Sequence, residues 1–388
     1  MRPPEACAAL WLALPGAARA ETLAPVPVEI VSKSATLPVL RCRAPWVLGL
    51  GQGLDVPQAV FSRDGTALYA LVLPHHEPAG DAVTLVRVPL DGKAPAKALA
   101  VFPNVSLDLV SAPGPAQVGL VVGQPGQSLG WELWVWTDGH AVRFPWAWEA
   151  QRSSVERPTF DPSGTHLAFS VEARSEPENR PAALALLTLA SGELRRIPVP
   201  EAYAPFAFSP DGTRVAFGGA SKENVVTYHP EPRDDAGTLS VFDTATGALL
   251  AHPEARGDGR AVGFSPDGTR VAMGSFLARV TLWDAAFRPV FSEVVGGTED
   301  GFVAFAPKRP VFVVSGGALY GRDTQTGAAA WEAEIRLPRK GGSYPVRPGA
   351  LGFAGDAGLL LFTGDADGFA VAQLDVSTGK PLPLARCR

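Results

Sequence analysis

The side chains with most chemistry to offer interrupt an otherwise apolar, glycine-rich chain. His75-His76-Glu77 sets two imidazoles and a carboxylate in a row, and with His229 it could supply nitrogen and oxygen ligands to zinc or copper. Adjacent histidines point apart on an extended backbone, so an exposed polar loop is the competing reading. Asp365-Ala366-Asp367-Gly368 has the look of a short calcium loop, but two carboxylates in a tight hairpin fall short of a full oxygen shell. Trp146 and Trp148, with Arg152 just beyond, could form an exposed aromatic anchor for a partner, or could pack between structural units. Tyr228, Tyr344 and Arg347 lie in further polar stretches and extend the set of candidate ligand or partner contacts. No cofactor is predicted. Calcium at Asp365 and Asp367, or zinc or copper at His75 and His229, are the metal sites these residues leave open.

Motifs with a defined catalytic geometry are mostly missing. There is no H-E-x-x-H helix and no Walker A loop, and Gly49-Leu50-Gly51-Gln52-Gly53 breaks off at Leu54 before completing a dinucleotide fingerprint. Gly126-Gln127-Ser128-Leu129-Gly130 matches G-x-S-x-G, yet a nucleophile elbow needs a helix after the serine, and Trp131 to Trp136 reads as a strand. Asn104-Val105-Ser106 is a glycosylation sequon, relevant only in a eukaryotic secretory pathway. The catalytic residues, if any exist, are therefore not legible.

The elements that must position these groups follow from composition and periodicity. Hydrophobic residues make up 46% of the 388 and charged ones 19%, which is ample for a buried core. With a formal net charge of −5 there is no basic surplus to neutralise phosphates, which excludes nucleic acid as the expected partner. The counts of 41 glycines and 37 prolines suit a chain of many tight turns.

The first 20 residues read as a secretory signal: Arg2, an apolar run from Ala6 to Ala18, and Ala18-Arg19-Ala20 as an A-x-A cleavage site before Glu21. The apolar run is too short to span a bilayer, and no later stretch is long enough either. Cleavage removes Cys7 and leaves Cys42 and Cys387, each in an Arg-Cys-Arg string. In an oxidising compartment, periplasmic or extracellular, such a pair is expected to bridge; two unrelated surface thiols are the alternative.

Residues 21–57 form a lead-in with material for one or two strands between Val28 and Cys42, and a possible short strand at Trp46, Val47 and Leu48. From residue 58 to 388 the chain repeats. Phe208-Ser209-Pro210-Asp211-Gly212-Thr213-Arg214-Val215-Ala216-Phe217-Gly218 returns almost unchanged from Phe264 to Gly274. Weaker copies start at Phe61, Phe160, Phe305 and Phe353, and a copy without Asp-Gly at Val110. The mean spacing, (353 − 61)/6, is close to 49 residues. In each unit a short apolar strand leads into a Pro-Asp-Gly turn, where proline pre-sets φ and glycine takes the left-handed conformation. A second strand follows, then a variable stretch, a third strand such as Thr238 to Asp243, and a Thr-Gly turn into a fourth. Seven units of four strands predict an all-β fold, a seven-bladed β-propeller of antiparallel blades; a pair of β-sandwiches would not repeat its sequence this way.

The F-S-P-D-G-T-R-V-A string, followed by two apolar residues and D-x-x-T-G, resembles the YVTN/TolB/WD40-like propeller repeats of secreted and periplasmic bacterial proteins. The resemblance covers about Gln58 to Pro383, and in blades two, six and seven it rests on spacing more than motif. It implies ring closure by pairing of strands from the two termini, with Leu37–Arg43 and Leu382–Arg388 as candidates pinned by a Cys42–Cys387 bond. It also implies that second-to-third and fourth-to-first connections share one face, which is where His75, Trp146, His229 and Tyr344 fall. Such repeats serve binding scaffolds, lactonases and quinoprotein or amine-dehydrogenase chains alike. Asp323-Thr324-Gln325-Thr326-Gly327-Ala328-Ala329-Ala330-Trp331 matches the quinoprotein repeat D-x-x-T-G-x-x-x-W in one unit only. The expectation is an exported scaffold, monomeric or part of a periplasmic complex, that binds a protein or small ligand through its loop face without catalysis. A propeller enzyme or enzyme subunit is the alternative.

Overall fold

The computed structural model describes residues 19–22, 26–28, 40–50, 54–74, 82–92, 94–102, 106–110, 114, 117–123, 132–137, 140–144, 153–173, 183–199, 206–219, 236–257, 259–275, 279–295, 302–315, 318–339, 342–345, 348–365 and 368–387. Four strands precede the repeats: β1 (Arg19–Thr22), β2 (Val26–Val28), β3 (Leu40–Ala44) and β4 (Val47–Leu50). Blade 1 contains β5 (Leu54–Phe61), β6 (Ala67–Pro74), β7 (Val83–Pro89) and β8 (Lys97–Phe102). Blade 2 has β9 (Ser106–Leu109), β10 (Gln117–Gly123), β11 (Glu132–Thr137) and β12 (His140–Phe144). Blade 3 has β13 (Ser153–Phe160), β14 (His166–Ala173), β15 (Ala183–Thr188) and β16 (Glu193–Pro198). In blade 4, β17 (Ala207–Phe208), β18 (Arg214–Gly219) and β19 (Ala236–Asp243) lead to an outer strand split into β20 (Leu249–Ala251) and β21 (Glu254–Arg256) around Pro253. Blade 5 has β22 (Gly259–Phe264), β23 (Val271–Ser275), β24 (Arg279–Trp283) and β25 (Pro289–Val294), and blade 6 has β26 (Val303–Phe305), β27 (Val311–Ser315), β28 (Leu319–Asp323) and β29 (Ala329–Ala333). After a hairpin of β30 (Arg336–Arg339) and β31 (Gly342–Pro345) comes blade 7, with β32 (Ala350–Ala354), β33 (Gly358–Asp365) and β34 (Gly368–Asp375). All pairings are antiparallel, and the seven sheets form the ring of a β-propeller.

Burial on both faces explains why the second strands are almost wholly apolar: β23 and β27 are buried at all five positions. Side chains alternate between the two neighbouring blades, as the two-residue period of a strand requires. In β6, Leu68, Ala70 and Val72 join a cluster with Leu360 and Phe362 of blade 7, while Ala67, Tyr69 and Leu71 join one with Leu120 and Trp136 of blade 2. Five further clusters fill the remaining five interfaces, so the core is one apolar wedge at each of seven seams. Where backbones come closest only glycine fits. A Cβ added at Gly218 of blade 4 would lie 2.6 Å from Cα of Gly259 in blade 5.

Ring closure takes place one hairpin later in the chain than the expected segment. The strand that completes blade 7 is β4, pairing Val47, Leu48 and Gly49 with Ala372, Val371 and Ala370 of β34. The segment around Leu40–Ala44, β3, is a fifth strand outside it. The expected C-terminal segment forms no strand: Leu382 N–H donates to the Gln373 carbonyl of β34, and the chain then leaves the sheet. It crosses the seam with Leu384 buried and donating its N–H to the Pro45 carbonyl, then ends in a 3-10 turn at Ala385–Cys387. Cys42 and Cys387 are disulfide-bonded, their Cα atoms 5.6 Å apart. The lead-in also adds an outer strand to two other blades: β2 lies on β12 of blade 2, and β1 on β16 of blade 3. The expected cleavage point between Ala20 and Glu21 falls inside β1. Among the described residues no helix is long and apolar enough to cross a membrane.

Candidate functional site

The two ends of each blade are built differently. The first-to-second and third-to-fourth turns share one face and are short, and their side chains are locked by hydrogen bonds. In blade 4, Ser209 Oγ and Thr213 N–H both donate to the Asp211 carboxylate, at 2.5 and 3.1 Å, and Arg214 N–H donates back to Ser209 Oγ at 2.9 Å. These bonds, led by that from Ser209, hold the Asp211 carboxyl at a pKa of about 2. Gly212 closes the turn at φ 72°. The third-to-fourth turn is stitched to it: Thr244 Oγ1 donates to the Gly212 carbonyl at 2.8 Å, while Asp243 accepts from Thr246 N–H and Oγ1 at 2.7 Å. Blade 5 repeats the first network with Ser265, Asp267 and Thr269.

Side chains then tie blade to blade. Gln117 Nε2 donates to the Gly164 carbonyl (3.1 Å), Arg195 to the Thr244 carbonyl (3.2 Å), Arg214 to the Gly268 carbonyl (3.0 Å) and Arg270 to Gln325 Oε1 (2.9 Å). Lys308 pairs with Asp356 at 3.0 Å, and Trp331 Nε1 donates to the Val376 carbonyl at 2.8 Å. Arg386 carries the series across the seam of the ring by donating to the carbonyls of Pro89 (3.0 Å) and Ala94 (2.7 Å) in blade 1. Trp331, the one tryptophan matching the quinoprotein repeat, is thus an interblade tie, with its ring packed over Gly379.

Blade 3 departs from this pattern in a way the sequence analysis did not single out. Its turn reads Asp161-Pro162-Ser163-Gly164-Thr165-His166, with serine and aspartate exchanged relative to Ser209 and Asp211. The carboxylate now occupies the buried position, accepting from Thr165 and His166 N–H at 2.8 Å each and from Ser163 Oγ. Burial works to raise the Asp161 pKa, and the hydrogen bonds, chiefly from Ser163, outweigh it and leave the carboxyl below its usual value. His166 Nδ1 lies 3.3 Å from Asp161 Oδ2 and its ring is half exposed. Arg63 of blade 1, standing where blades 3, 4 and 5 carry proline, is pulled below its usual pKa by partial burial, with the Asp161 charge opposing the shift.

The groove beside this turn, between blades 3 and 4, holds about 230 Å³ and is lined by His166, Glu193, Arg195, Phe208, Thr244 and others. The turn beside it sets serine, histidine and aspartate side by side, but in the wrong order for acyl transfer. Ser163 and His166 both bind the one carboxylate, so the serine proton is directed at Asp161 rather than at imidazole.

The residues singled out from sequence were expected on the opposite face. His75, His76, Trp146, Trp148, Arg152, Tyr228, His229, Arg347 and Asp367 lie outside the described residues. Tyr344 is placed in β31, opposite Leu337 of β30, so the stretch expected to be a long loop before blade 7 is in part a hairpin. Ile335 and Leu337 anchor that hairpin in the core between blades 6 and 7. Asp365 ends β33 opposite Gly368, the first residue of β34. Among the described residues, no three His, Cys, Asp or Glu side chains converge to hold a metal. The fold defines the class, a seven-bladed propeller. No protein-family model and no curated protein matches the chain.

Proposed function

We propose that the protein is an exported binding scaffold of the YVTN/TolB/WD40-like kind, which engages a protein or small ligand through its second-to-third and fourth-to-first connections and does not catalyse a reaction. The observation that carries this reading is the series of turn-face bonds. Side chains at that face are committed to holding blades together, as in Arg214 to Gly268 and Arg386 to Pro89. Variation in length and chemistry is left to the other face, and binding in propeller-like scaffolds belongs on the loops a rigid frame presents. The Cys42–Cys387 bond is in keeping with an oxidising compartment and with removal of residues 1–20 on export.

The test is site-specific photo-crosslinking in the native compartment. Probes at Trp146, Tyr228 and Tyr344 should each yield a discrete adduct, and probes at Thr213 and Thr269 on the turn face should yield none. Adducts from the turn face alone overturn the assignment. Elemental analysis of the same preparation bears on catalysis, because stoichiometric zinc, copper or calcium would favour a propeller enzyme.

A further inference from the structure

Outer strands of propeller blades present unpaired backbone groups, and exposed edges are usually guarded by charge, proline, brevity or a covering segment. Among the described residues three blades are covered by the chain itself, with β2 on blade 2, β3 on blade 7 and β1 on blade 3, of which Glu21 and Thr22 remain once residues 1–20 are removed. Blade 4 breaks its outer strand at Pro253, and β8 of blade 1 starts with an exposed lysine and turns its apolar residues inward. In blade 5, β25 is guarded past Pro289 by a single charge, Glu293, and by no covering strand among the described residues. Its sequence is Pro-Val-Phe-Ser-Glu-Val, exposed at every position but Phe291, and it pairs with β24 on one side only. Of the exposed large hydrophobic residues of the described chain, Val290 at 41% and Val294 at 55% lie on this strand; the others are Leu249 and Leu250 on the outer strand of blade 4 and Phe302 before the inner strand of blade 6.

We propose that β25 is a homodimer interface, pairing antiparallel with β25 of a second copy about a two-fold axis through Ser292. Strand alternation fixes what such pairing brings together. Val290 falls opposite Val294 of the other copy, twice, on the face that Ser292 shares, and Phe291 falls opposite Glu293 of the other copy. The second of these pairings meets a charge already in place. Arg322 of blade 6 lies over the Phe291 ring at 5.5 Å from its centre, is 4.0 Å from Glu293 of its own chain, and has a buried Nε without a hydrogen-bond partner. The arriving carboxylate therefore meets a guanidinium that its own chain only loosely neutralises. Four strands from each copy would run on as one sheet, and the two exposed valines of each copy would be covered.

The experiment is sedimentation velocity on the full exported chain from roughly 1 to 100 µM, with dimer population rising with concentration. Val294→Lys places a charge in the apolar pair and should raise the dissociation constant at least tenfold, while Val294 is exposed enough for the fold to tolerate it. Ser292→Cys, on the axis, should form a disulfide-linked dimer under oxidising conditions, and Glu293→Cys, off the axis, should not. A monomer at every concentration overturns the proposal, whether or not a peptide from another protein lies along β25. So does a dimer indifferent to Val294→Lys, or one that Ser292→Cys fails to trap.

Discussion

Replacing Cys42 by serine probes the seam of the ring directly. The bridge closes a loop of 387 − 42, or 345, residues. Chain-entropy arithmetic for a loop of that length gives about 6 kcal/mol at 25 °C as an upper bound, and lost native bridges more often cost about 2 to 5 kcal/mol. The variant should still fold, because β4 remains paired with β34, Leu384 remains buried, and Arg386 still reaches the Pro89 and Ala94 carbonyls. For a chain of 388 residues the unfolding entropy is about 0.8 kcal/mol/K, so a loss of about 2 to 6 kcal/mol lowers Tm by about 3 to 8 °C. Scanning calorimetry on the wild type, Cys42→Ser, Cys387→Ser and the double variant reads this out. All three variants should coincide, since they remove one bond. A shift under about 1 °C, or a wild type that titrates with two free thiols, would refute the reasoning.

Further expectations concern the frame. Gly218→Ala drives a methyl group into the Gly259 backbone and should cost about 1 to 3 kcal/mol by denaturant titration; an unchanged midpoint would mean that blades 4 and 5 can move apart freely. Asp161→Ala strands the Thr165 and His166 amides and should cost about 2 kcal/mol, more than Asp211→Ala, whose carboxylate is exposed. The turn aspartates, Asp161, Asp211, Asp243, Asp267, Asp284 and Asp323, all have lowered pKa values in the folded state. Their stabilisation is therefore complete above the unfolded value near 3.9 and is lost as pH falls through the lowered folded values, so Tm should drop steeply as pH falls below about 4. Trp331→Phe keeps the ring and removes the bond to Val376, with an expected loss of about 1 kcal/mol.

The blades were legible in the sequence because a blade is a local object. Its turns need particular residues, such as Asp211 and Gly212, and its strands are buried on both faces, so spacing and apolar runs survive even where the motif decays, as at Val110. The closing strand was placed one hairpin too early because Val28 to Cys42 and Trp46 to Leu50 offer similar apolar material, and only the partner in β34 decides between them. β1 and β2 left no signal: a four-residue strand and a three-residue one, added to an edge, are held by backbone bonds that are indifferent to side chains. The exchange of Ser and Asp in blade 3 was visible in Asp161-Pro162-Ser163-Gly164, yet composition alone does not say which of the two turn positions is buried. The hairpin holding Tyr344 was hidden by Pro338 and Pro345, which read as loop residues.

The path of the lead-in has a consequence in time. Gly49 finds its partner only at Ala370, 370 − 49, or 321, residues later. At synthesis rates of about 5 to 20 residues per second, β4 waits roughly 16 to 64 s for β34 to emerge. Blades 1 to 6 can zip up in order meanwhile from short-range pairings, each using its predecessor as a template. During that interval the growing assembly is an open arc with two raw ends, one at blade 1 and one at the newest blade. Closing the ring requires the meeting of those ends, which also brings Cys42 and Cys387 within bonding distance. The covalent link thus records that the circle has been completed, and a chain cut short anywhere before β34 would carry an unmatched cysteine and an unclosed edge for quality-control machinery to recognise.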